Sequence, residues 1–251
     1  MMKRREQIYR NEWKYLIPYT EAAILQRKLE PFMQYDSHAK DGSYMIRSLY
    51  FDDWKNTAYQ QKLMGIYDRK KWRIRIYNCS DRVISLERKR KKGNYIFKES
   101  AKLSREEFEK ILDCDYAFLL QRQEQLCKEF YVECVSSILR PKVIVDYDRT
   151  PMVLESGTVR VTFDSCVRAA IGSFDIFDEM LPTISAMNPE ELVLEVKYTE
   201  FLPELIHRLL PLEESGFSAF SKYVECYDAA RHLTNVTDKI NKSTDTWRTE
   251  Y

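Results

Sequence analysis

The sequence is poor in glycine and lacks the phosphate-binding motif that glycine serves. Only 6 of its 251 residues are glycine, and none stands in the GxxxxGK[ST] pattern whose backbone N–H groups cradle nucleotide phosphates. A P-loop fold is therefore excluded. The 6 cysteines form no CxxC pair and the 3 histidines lack metal-ligand spacing, so neither a disulfide framework nor a zinc site is expected.

The sequence also lacks a strong net charge, a signal peptide and a long apolar run. With 40 basic and 39 acidic residues the net charge is +1, so no global cationic field attracts nucleic acid, and a nucleic-acid partner is not expected. Any basic site must be local. The first residues have no apolar core and no stretch has the length of a membrane span, which favours a soluble protein of the cytoplasm.

The strands predicted from periodicity alternate apolar residues with charge. In residues 71–77, KWRIRIY, a period of two places Lys71, Arg73 and Arg75 on one face and Trp72 and Ile74 on the other. We call such a row of charged side chains on one strand face a charged comb. Combs recur in residues 10–14 (RNEWK), 85–89 (SLERK), 160–164 (RVTFD) and 193–197 (VLEVK). Charged combs on several strands predict one shared site for a polyanion.

One basic run divides between the two faces of its strand. Residues 88–92 read RKRKK, and alternation turns Lys89 toward the comb face and Arg88 and Arg90 toward the opposite face. We expect Arg88 and Arg90 to be solvated. The run therefore predicts part of a comb rather than a nucleic-acid patch.

Periodicity predicts an α+β fold with a single domain over residues 1–234 and a polar tail over residues 235–251. Strands are predicted at residues 8–17, 43–52, 70–78, 82–90, 94–102, 141–151, 157–169 and 191–199. Helices are predicted at residues 19–33, 116–139, 204–210 and 218–233, and after a capping box that begins at Ser104. Short polar turns make residues 70–102 an antiparallel meander, so neighbouring combs lie side by side.

The charged faces are expected to point inward. Helices that pack on the apolar faces from outside leave the combs around a closed or nearly closed sheet. Because an uncompensated buried charge costs several kcal/mol, such an interior needs carboxylates and a bound counter-ion. Glu12, Glu87, Asp164 and Glu195 stand at the required alternation. Basic side chains for phosphate oxygens and acids for Mg²⁺ or Mn²⁺ are what binding a phosphate chain through a metal requires.

Eight motifs follow one another in an order that resembles a known family. They are residues 10–15 (RNEWKY), 48–52 (SLYFD), 72–75 (WRIR), 86–89 (LERK), 147–150 (YDRT), 159–164 (VRVTFD), 193–197 (VLEVK) and 220–223 (FSKY). In this order they resemble the VTC polyphosphate polymerase domain, which belongs to the triphosphate tunnel metalloenzymes. The resemblance covers residues 8–233.

The resemblance implies a fold and an activity. The fold is an eight-stranded antiparallel β-barrel tunnel with helices packed outside and a C-terminal helix at one mouth. The activity is transfer of the γ-phosphate of ATP onto a growing polyphosphate chain, with Mn²⁺ or Mg²⁺ as cofactor. Family members work in membrane complexes, so the resemblance also implies a separate membrane partner that would bring this chain to a membrane.

The resemblance further implies roles for particular residues. The catalytic phosphate ligands it implies are Lys14, Arg73, Arg75, Lys89, Arg149 and Arg160. The substrate-binding residues are Glu12, Glu87, Lys98, Lys102, Lys197, Ser221 and Lys222. The metal ligands are Glu195 and Asp164. One position departs from the family, because the second lysine of its chain-binding set is Ala219 here.

Two other functions remain open on the same residues. If water takes the place of the acceptor phosphate, the site hydrolyses inorganic triphosphate or a nucleoside triphosphate, because phosphoryl transfer is mostly positioning and charge neutralisation. A module that kept the combs without turnover would only bind polyphosphate or inositol phosphates. The first alternative differs from a polymerase by what occupies the acceptor position and not by residue type.

Overall fold

The computed structural model describes residues 11–39, 42–93, 95–199, 201–210 and 220–233. The strands are β1 (Asn11–Pro18), β2 (Gln34–Tyr35), β3 (Tyr44–Asp52), β4 (Asp68–Tyr77), β5 (Ser80–Lys92), β6 (Tyr95–Leu103), β7 (Arg140–Leu154), β8 (Val159–Ala170), β9 (Thr183–Ser185) and β10 (Glu191–Tyr198). The helices are α1 (Tyr19–Leu29), α2 (Thr57–Leu63), α3 (Arg105–Leu112), α4 (Gln125–Ser136), α5 (Glu204–Leu209) and α6 (residues 222–233). The predicted tail over residues 235–251 lies outside the described residues.

One antiparallel sheet organises the described part of the chain. Eight strands follow the order β1-β10-β8-β7-β3-β4-β5-β6, while β2 pairs with β7 and β9 pairs with β8. Each of the eight predicted strands overlaps one strand of this path, and β4, β5 and β6 form the predicted meander. The fold is therefore α+β with a largely antiparallel sheet, as predicted.

The prediction of a closed barrel was wrong, because the two edge strands do not pair. β1 and β6 end the hydrogen-bonded path, although their Cα atoms approach within 8 Å. The facing edges carry charged side chains, including Lys14 on β1 and Lys98 on β6, and Lys98 is 51% exposed. Charged side chains at an edge discourage strand pairing. The sheet thus curves around an interior that stays open along one side.

Helices α3 and α4 cover the outer face of the meander. α3 begins at the predicted capping box, in which Ser104 Oγ accepts the Glu107 N–H and the Glu107 carboxylate accepts the Ser104 N–H. On α4, the ring of Phe130 packs against Trp72 of β4 with ring centroids 5.1 Å apart. Because alternate residues point to opposite faces, burial of Trp72 on the outside turns Arg73 to the inside.

Helices α1 and α5 cover the outer face of β1, β8 and β10. Leu25 of α1 and Ile206 of α5 are buried in one cluster with Tyr15, Phe163 and Leu194 of the three strands. Burial of each large apolar side chain contributes about 1.5–3 kcal/mol. Among the helices of the described residues, none combines the length and the apolar character that crossing a bilayer requires.

Helix α6 packs on the inner face of the sheet rather than on the outside. Tyr223 and Val224 of α6 are buried against inward-facing residues of β3, β7 and β8, including Tyr50, Val145 and Val167. The Tyr223 hydroxyl donates to Asp52 Oδ2 at 2.7 Å. One part of the interior is therefore apolar, whereas the sequence predicted a mostly cationic interior throughout. This packing holds the first residues of α6 over the charged part.

Candidate functional site

The charged combs lie on the inner face of the curved sheet. On β4, Trp72, Ile74 and Ile76 are buried in the outer core, while Arg73 and Arg75 point to the interior and contact residues of β3. The predicted alternation of charged and apolar faces is thereby confirmed on this strand. The interior positions of β1, β5, β7, β8 and β10 bring their charged side chains to the same space.

Glu195 of β10 is the acidic centre of this space. Its carboxylate lies 3.1 Å from Lys14 Nζ, 3.5 Å from Arg149 Nη2, 2.5 Å from Lys197 Nζ and 3.1 Å from Lys222 Nζ. The register of β1 and β10 places Lys14 directly opposite Glu195. Burial opposes the charge of Glu195, but the surrounding cations, led by Lys14 and Lys197, hold its pKa well below the ordinary value. The glutamate is ionised.

Asp164 of β8 is a second buried acid next to this centre. Arg149 Nε and Nη2 donate to its two carboxylate oxygens at 2.6 and 2.7 Å, which is the bidentate geometry of a strong ion pair. Lys222 Nζ lies 2.6 Å from Asp164 Oδ2. Burial opposes the charge of Asp164, while Arg149 and Lys222 lower its pKa. Lys222 reaches both acids because it is the first residue of α6.

Glu12 of β1 connects the two sides of the open sheet. Its two carboxylate oxygens accept bonds from Lys89 Nζ of β5, both at 2.9 Å, and Lys14 Nζ lies 3.3 Å away. Burial opposes the charge of Glu12, but Lys89 and Lys14 hold its pKa well below the ordinary value. For Lys89 itself, burial outweighs the attraction of Glu12 and lowers the pKa to about 8. Lys89 therefore loses its charge just above neutral pH.

Glu87 of β5 neutralises part of the meander. Arg73 Nη2 lies 2.6 Å from Glu87 Oε2, and Lys98 Nζ lies 2.8 Å from Oε1. Arg73 also donates from Nη1 to the Tyr50 hydroxyl at 2.9 Å. Burial opposes the charge of Glu87, yet Arg73 and Arg75 hold its pKa well below the ordinary value. Two predicted phosphate-contacting cations thus share one carboxylate.

Arg75 differs from its neighbours because its hydrogen-bond partners are neutral. Its Nε donates to Ser48 Oγ at 3.1 Å and its Nη2 donates to the Tyr147 hydroxyl at 3.2 Å. The side chain is buried, and no carboxylate of the described residues forms an ion pair with it. The charge of Arg75 acts on Glu87 without a direct contact, so an anion that contacts the guanidinium would stabilise this buried cation further. The arrangement at Arg75 therefore favours binding of an anion.

The remaining predicted residues lie at the periphery of this space. Arg160 contacts Asp36 Oδ2 at 2.8 Å and the Tyr44 hydroxyl at 3.1 Å, and among the described residues it forms no ion pair with Glu195. Lys102 is exposed on the edge strand β6. Ser221 Oγ accepts a bond from Lys71 Nζ at 2.9 Å. The structure therefore brings most of the predicted residues together, but it leaves Arg160 and Lys102 outside the buried cluster.

Sequence reasoning assigned no role to several polar residues of the inner face. Lys71 was placed in a comb but not in the site, although it lies beside Ser221. Tyr50 and Tyr147 each bond a predicted arginine through the hydroxyl, and Lys222 Nζ lies 4.7 Å from the centre of the Tyr147 ring. Tyr147 stands two residues from Arg149, which was assigned to the site, and Tyr50 lies within the motif at residues 48–52. Extending the period of two along β3 and β7 would have found them.

The expectation that Arg88 is solvated was wrong. Its side chain is buried, pairs with Glu99 at 2.6 Å and with Glu129 of α4, and lies over the Trp72 ring. The two acids come from β6 and α4, so the outer face offers partners that a single strand cannot reveal. Arg90 is 49% exposed, as expected.

The carboxylates fit a divalent cation under one condition. Lys222 Nζ contacts both Asp164 and Glu195, so the two predicted metal ligands face a common point. No group of three or more His, Cys, Asp or Glu that could hold a metal is found in the described ranges. A Mg²⁺ or Mn²⁺ ion would therefore use one or two carboxylates and take its other ligands from phosphate and water, as hard cations commonly do with phosphate substrates. The fit requires Lys222 to move from these acids.

An antiparallel sheet curved around inward-facing basic combs and carboxylates defines the class of triphosphate tunnel proteins. A family model for the VTC domain matches residues 9–231. The chain belongs to the VTC domain family. No curated protein matches the chain.

The chain is similar to solved structures at low sequence identity. HpAC1 from Hippeastrum, described as a candidate adenylyl cyclase with a dominant triphosphatase activity, is 14% identical with a TM-score of 0.53, covering 88% of this chain and 95% of that one. A candidate adenylate cyclase from Bacillus halodurans is 13% identical with a TM-score of 0.46, covering 83% and 94%. At such identity the likeness to HpAC1 shows the fold alone.

Proposed function

We propose that the protein is a polyphosphate polymerase that transfers the γ-phosphate of ATP onto a growing polyphosphate chain inside the curved sheet. The observation that carries this proposal is the convergence of basic side chains from β1, β4, β5, β7 and α6 on a buried space that holds only a few acids. Family membership supports the same conclusion. The donor, the acceptor and the type of transfer are parts of the proposal.

The arginines would bind and orient the phosphates. Arg75 has neutral partners and can turn its guanidinium N–H groups to phosphate oxygens. Arg73 and Arg149 are held in fixed geometry by Glu87 and Asp164, so they present the remaining N–H groups in set directions. Because phosphoryl transfer depends on alignment and charge neutralisation, no protein nucleophile is required.

The lysines would neutralise charge along the chain. Lys14 and Lys197 flank Glu195, and Lys89 lies across the open side of the sheet at Glu12. Arg160, Lys98, Lys102 and Ser221 are proposed to contact more distant phosphates, with Glu12 and Glu87 holding the lysines of the site in place.

The carboxylates of Glu195 and Asp164 are proposed to hold Mn²⁺ or Mg²⁺. When bound, such an ion withdraws charge from the phosphate oxygens and so stabilises the transferring group. Lys222 and Lys14 would then be free to bind phosphate oxygens, because their acid partners would be engaged. This exchange of partners couples metal binding to the availability of lysine for substrate.

A triphosphatase is the second candidate, and one observation favours it. HpAC1, whose fold this chain shares, is described with a dominant triphosphatase activity. In a hydrolase the same arginines and lysines would bind inorganic triphosphate or ATP, and water would stand at the acceptor position. The open side of the sheet at β1 and β6 provides access for water.

Incubation of the protein with ATP and Mn²⁺ tests the proposal. A polymerase yields long-chain polyphosphate and ADP, which gel staining and nucleotide chromatography detect. Lys14→Gln should abolish product because it removes a cation from the acidic centre. Lys28→Gln removes an exposed charge from α1 and should leave the rate unchanged.

Other outcomes of this assay separate the alternatives. Release of orthophosphate without long chains would show that the protein acts as a triphosphatase and not as a polymerase. Tight polyphosphate binding without turnover of ATP or triphosphate would show that the protein is a binding module.

We also propose a cytoplasmic location with a separate membrane protein as partner. A salt-resistant association of the native protein with membranes would support this partner, and the absence of such an association would contradict it.

A further inference from the structure

Four cations lie together on one side of the buried cluster. Arg69 and Lys71 precede Arg73 on the inner face of β4, Lys91 stands opposite Arg69 on β5, and Lys62 belongs to α2. In the described part of the chain, none of these four forms an ion pair. We call them the mouth cations. Like charges on neighbouring strands repel one another.

Two of the mouth cations, Lys71 and Arg69, contact neutral groups. Lys71 Nζ donates to Ser221 Oγ at 2.9 Å and lies 5.0 Å from the centre of the Tyr223 ring. Arg69 Nη1 donates to the Ile66 carbonyl at 2.6 Å. Burial, followed by the neighbouring cations Lys14 and Lys62, lowers the pKa of Lys71 well below the ordinary value. The neighbouring cations thus disfavour the charged form of Lys71, and a bound anion would favour it.

A cleft of about 500 Å³ adjoins the mouth cations. It lies between α2, β10 and α6, with Lys62 and Ser221 on its wall, and Ser221 connects it to Lys71. Glu225 and Glu191 also line it, and Glu225 attracts Lys62, so the charge of the cleft is mixed. The cleft brings open space next to Lys62 and to Ser221, the hydrogen-bond partner of Lys71.

We propose that Lys62, Arg69, Lys71 and Lys91 form a second phosphate-binding subsite, which takes the part of a linear polyphosphate chain that extends beyond the acidic centre. The inference rests on the proposed function, in which the centre around Glu195 takes the reacting phosphates. Inward positions on β4 recur every two residues, or about 6.6–6.8 Å, so Arg73, Lys71 and Arg69 form a row for an extended polyanion. The subsite confers a preference for long chains over triphosphate.

An anionic membrane is the other source of phosphate groups for these cations. Leu63 and Met64 at the end of α2 are exposed and apolar, as a membrane contact would require. However, Arg69 and Lys91 stand at inner-face positions of their strands, which a flat bilayer surface cannot follow. The orientation therefore favours a threaded chain.

Binding by two triple variants tests the subsite. The inner variant Lys62→Gln/Arg69→Gln/Lys91→Gln removes three mouth cations, and Lys71 is left in place because it adjoins the centre. The outer variant Lys70→Gln/Arg90→Gln/Lys92→Gln removes the same charge from the opposite faces of β4 and β5. Titration calorimetry measures the affinity of each for inorganic tripolyphosphate and for polyphosphate of long chain, and circular dichroism checks folding.

The inner variant should bind long-chain polyphosphate about tenfold or more weakly, because it loses charge-assisted hydrogen bonds to phosphate. Its affinity for tripolyphosphate should be unchanged. The outer variant should keep both affinities. Equal losses in the two variants, or none in the inner one, would overturn the subsite. Loss of binding to phosphatidylserine vesicles with intact long-chain binding would reassign the cations to a membrane. If the wild type binds long chains but makes none, the proposed function fails while the subsite stands.

Discussion

The charge balance of the interior predicts an unusual response to replacement of Glu195 by glutamine. This glutamate is 4% exposed and contacts four cations, at Lys14, Arg149, Lys197 and Lys222. Glutamine keeps the size of the side chain but removes the negative charge. Breaking a buried ion pair from one side costs about 3–5 kcal/mol, and here Lys197 loses its carboxylate contact while Lys14, Arg149 and Lys222 each keep one other acid.

The expected loss is measurable by thermal unfolding. For a domain of this size, 1 kcal/mol corresponds to about 2–4 °C in Tm, so Glu195→Gln should lower the Tm by about 6–20 °C in EDTA. Asp148→Asn is the matched control, because Asp148 forms a 3.5 Å pair with Arg168 in which both side chains are about one-third exposed. Such a pair contributes at most about 1 kcal/mol.

A phosphate ligand should restore the thermal stability of Glu195→Gln. Tripolyphosphate brings the negative charge that glutamine lacks, and a ligand stabilises the folded state in proportion to its affinity. The ligand should therefore raise the Tm of Glu195→Gln by more than it raises that of the wild type. A Tm loss no larger than that of Asp148→Asn, or a smaller ligand-induced rise in the variant, would refute the reasoning.

The remaining predictions concern separate parts of the site and the core. Tripolyphosphate affinity should fall as the pH rises through about 8, because Lys89 loses its charge there, and Lys89→Arg should remove this fall in a calorimetric pH series. Arg73→Ala and Arg75→Ala should each weaken tripolyphosphate binding by about 1.5–3 kcal/mol, the worth of a charged hydrogen bond, while Arg90→Ala should not. Trp72→Ala should lower the free energy of unfolding by about 3–5 kcal/mol in urea, because it empties a buried site against Phe130.

Each of these predictions has a result that contradicts it. An unchanged affinity from pH 7 to pH 9 would remove Lys89 from the site. Equal affinity of the two arginine variants and the wild type would show that the inner combs do not bind phosphate. Unfolding of Trp72→Ala at the wild-type urea concentration would contradict the outer packing that turns the β4 comb inward.

The strand pattern allowed much of the fold and site to be predicted. A period of two assigns each residue of β4 to a face without knowledge of its neighbours, and Trp72 and Arg73 lie as that period requires. The ordered motifs then placed Glu195 and Lys14 in one site, and they are directly opposite each other in the register of β1 and β10. Local alternation is a sufficient signal for such features.

Other features depend on contacts between distant segments and could not be predicted in this way. Arg88 is buried because Glu129 of α4 and Glu99 of β6 approach it, and no pattern within β5 contains them. The contact of Glu12 with Lys89 joins strands that do not pair. The closed barrel implied by the resemblance was wrong. Whether the edges of a sheet meet depends on its overall curvature, which no pattern within one strand contains.

We propose that the inner face of the sheet binds the phosphates together with a divalent metal. A crystal structure of the protein with a non-hydrolysable ATP analogue and Mn²⁺ would locate both. We expect phosphate oxygens within hydrogen-bond distance of Arg73, Arg75 and Arg149, and anomalous scattering from Mn²⁺ beside Glu195. Nucleotide bound on the outer helices, with the interior filled by the ion pairs described above, would contradict it.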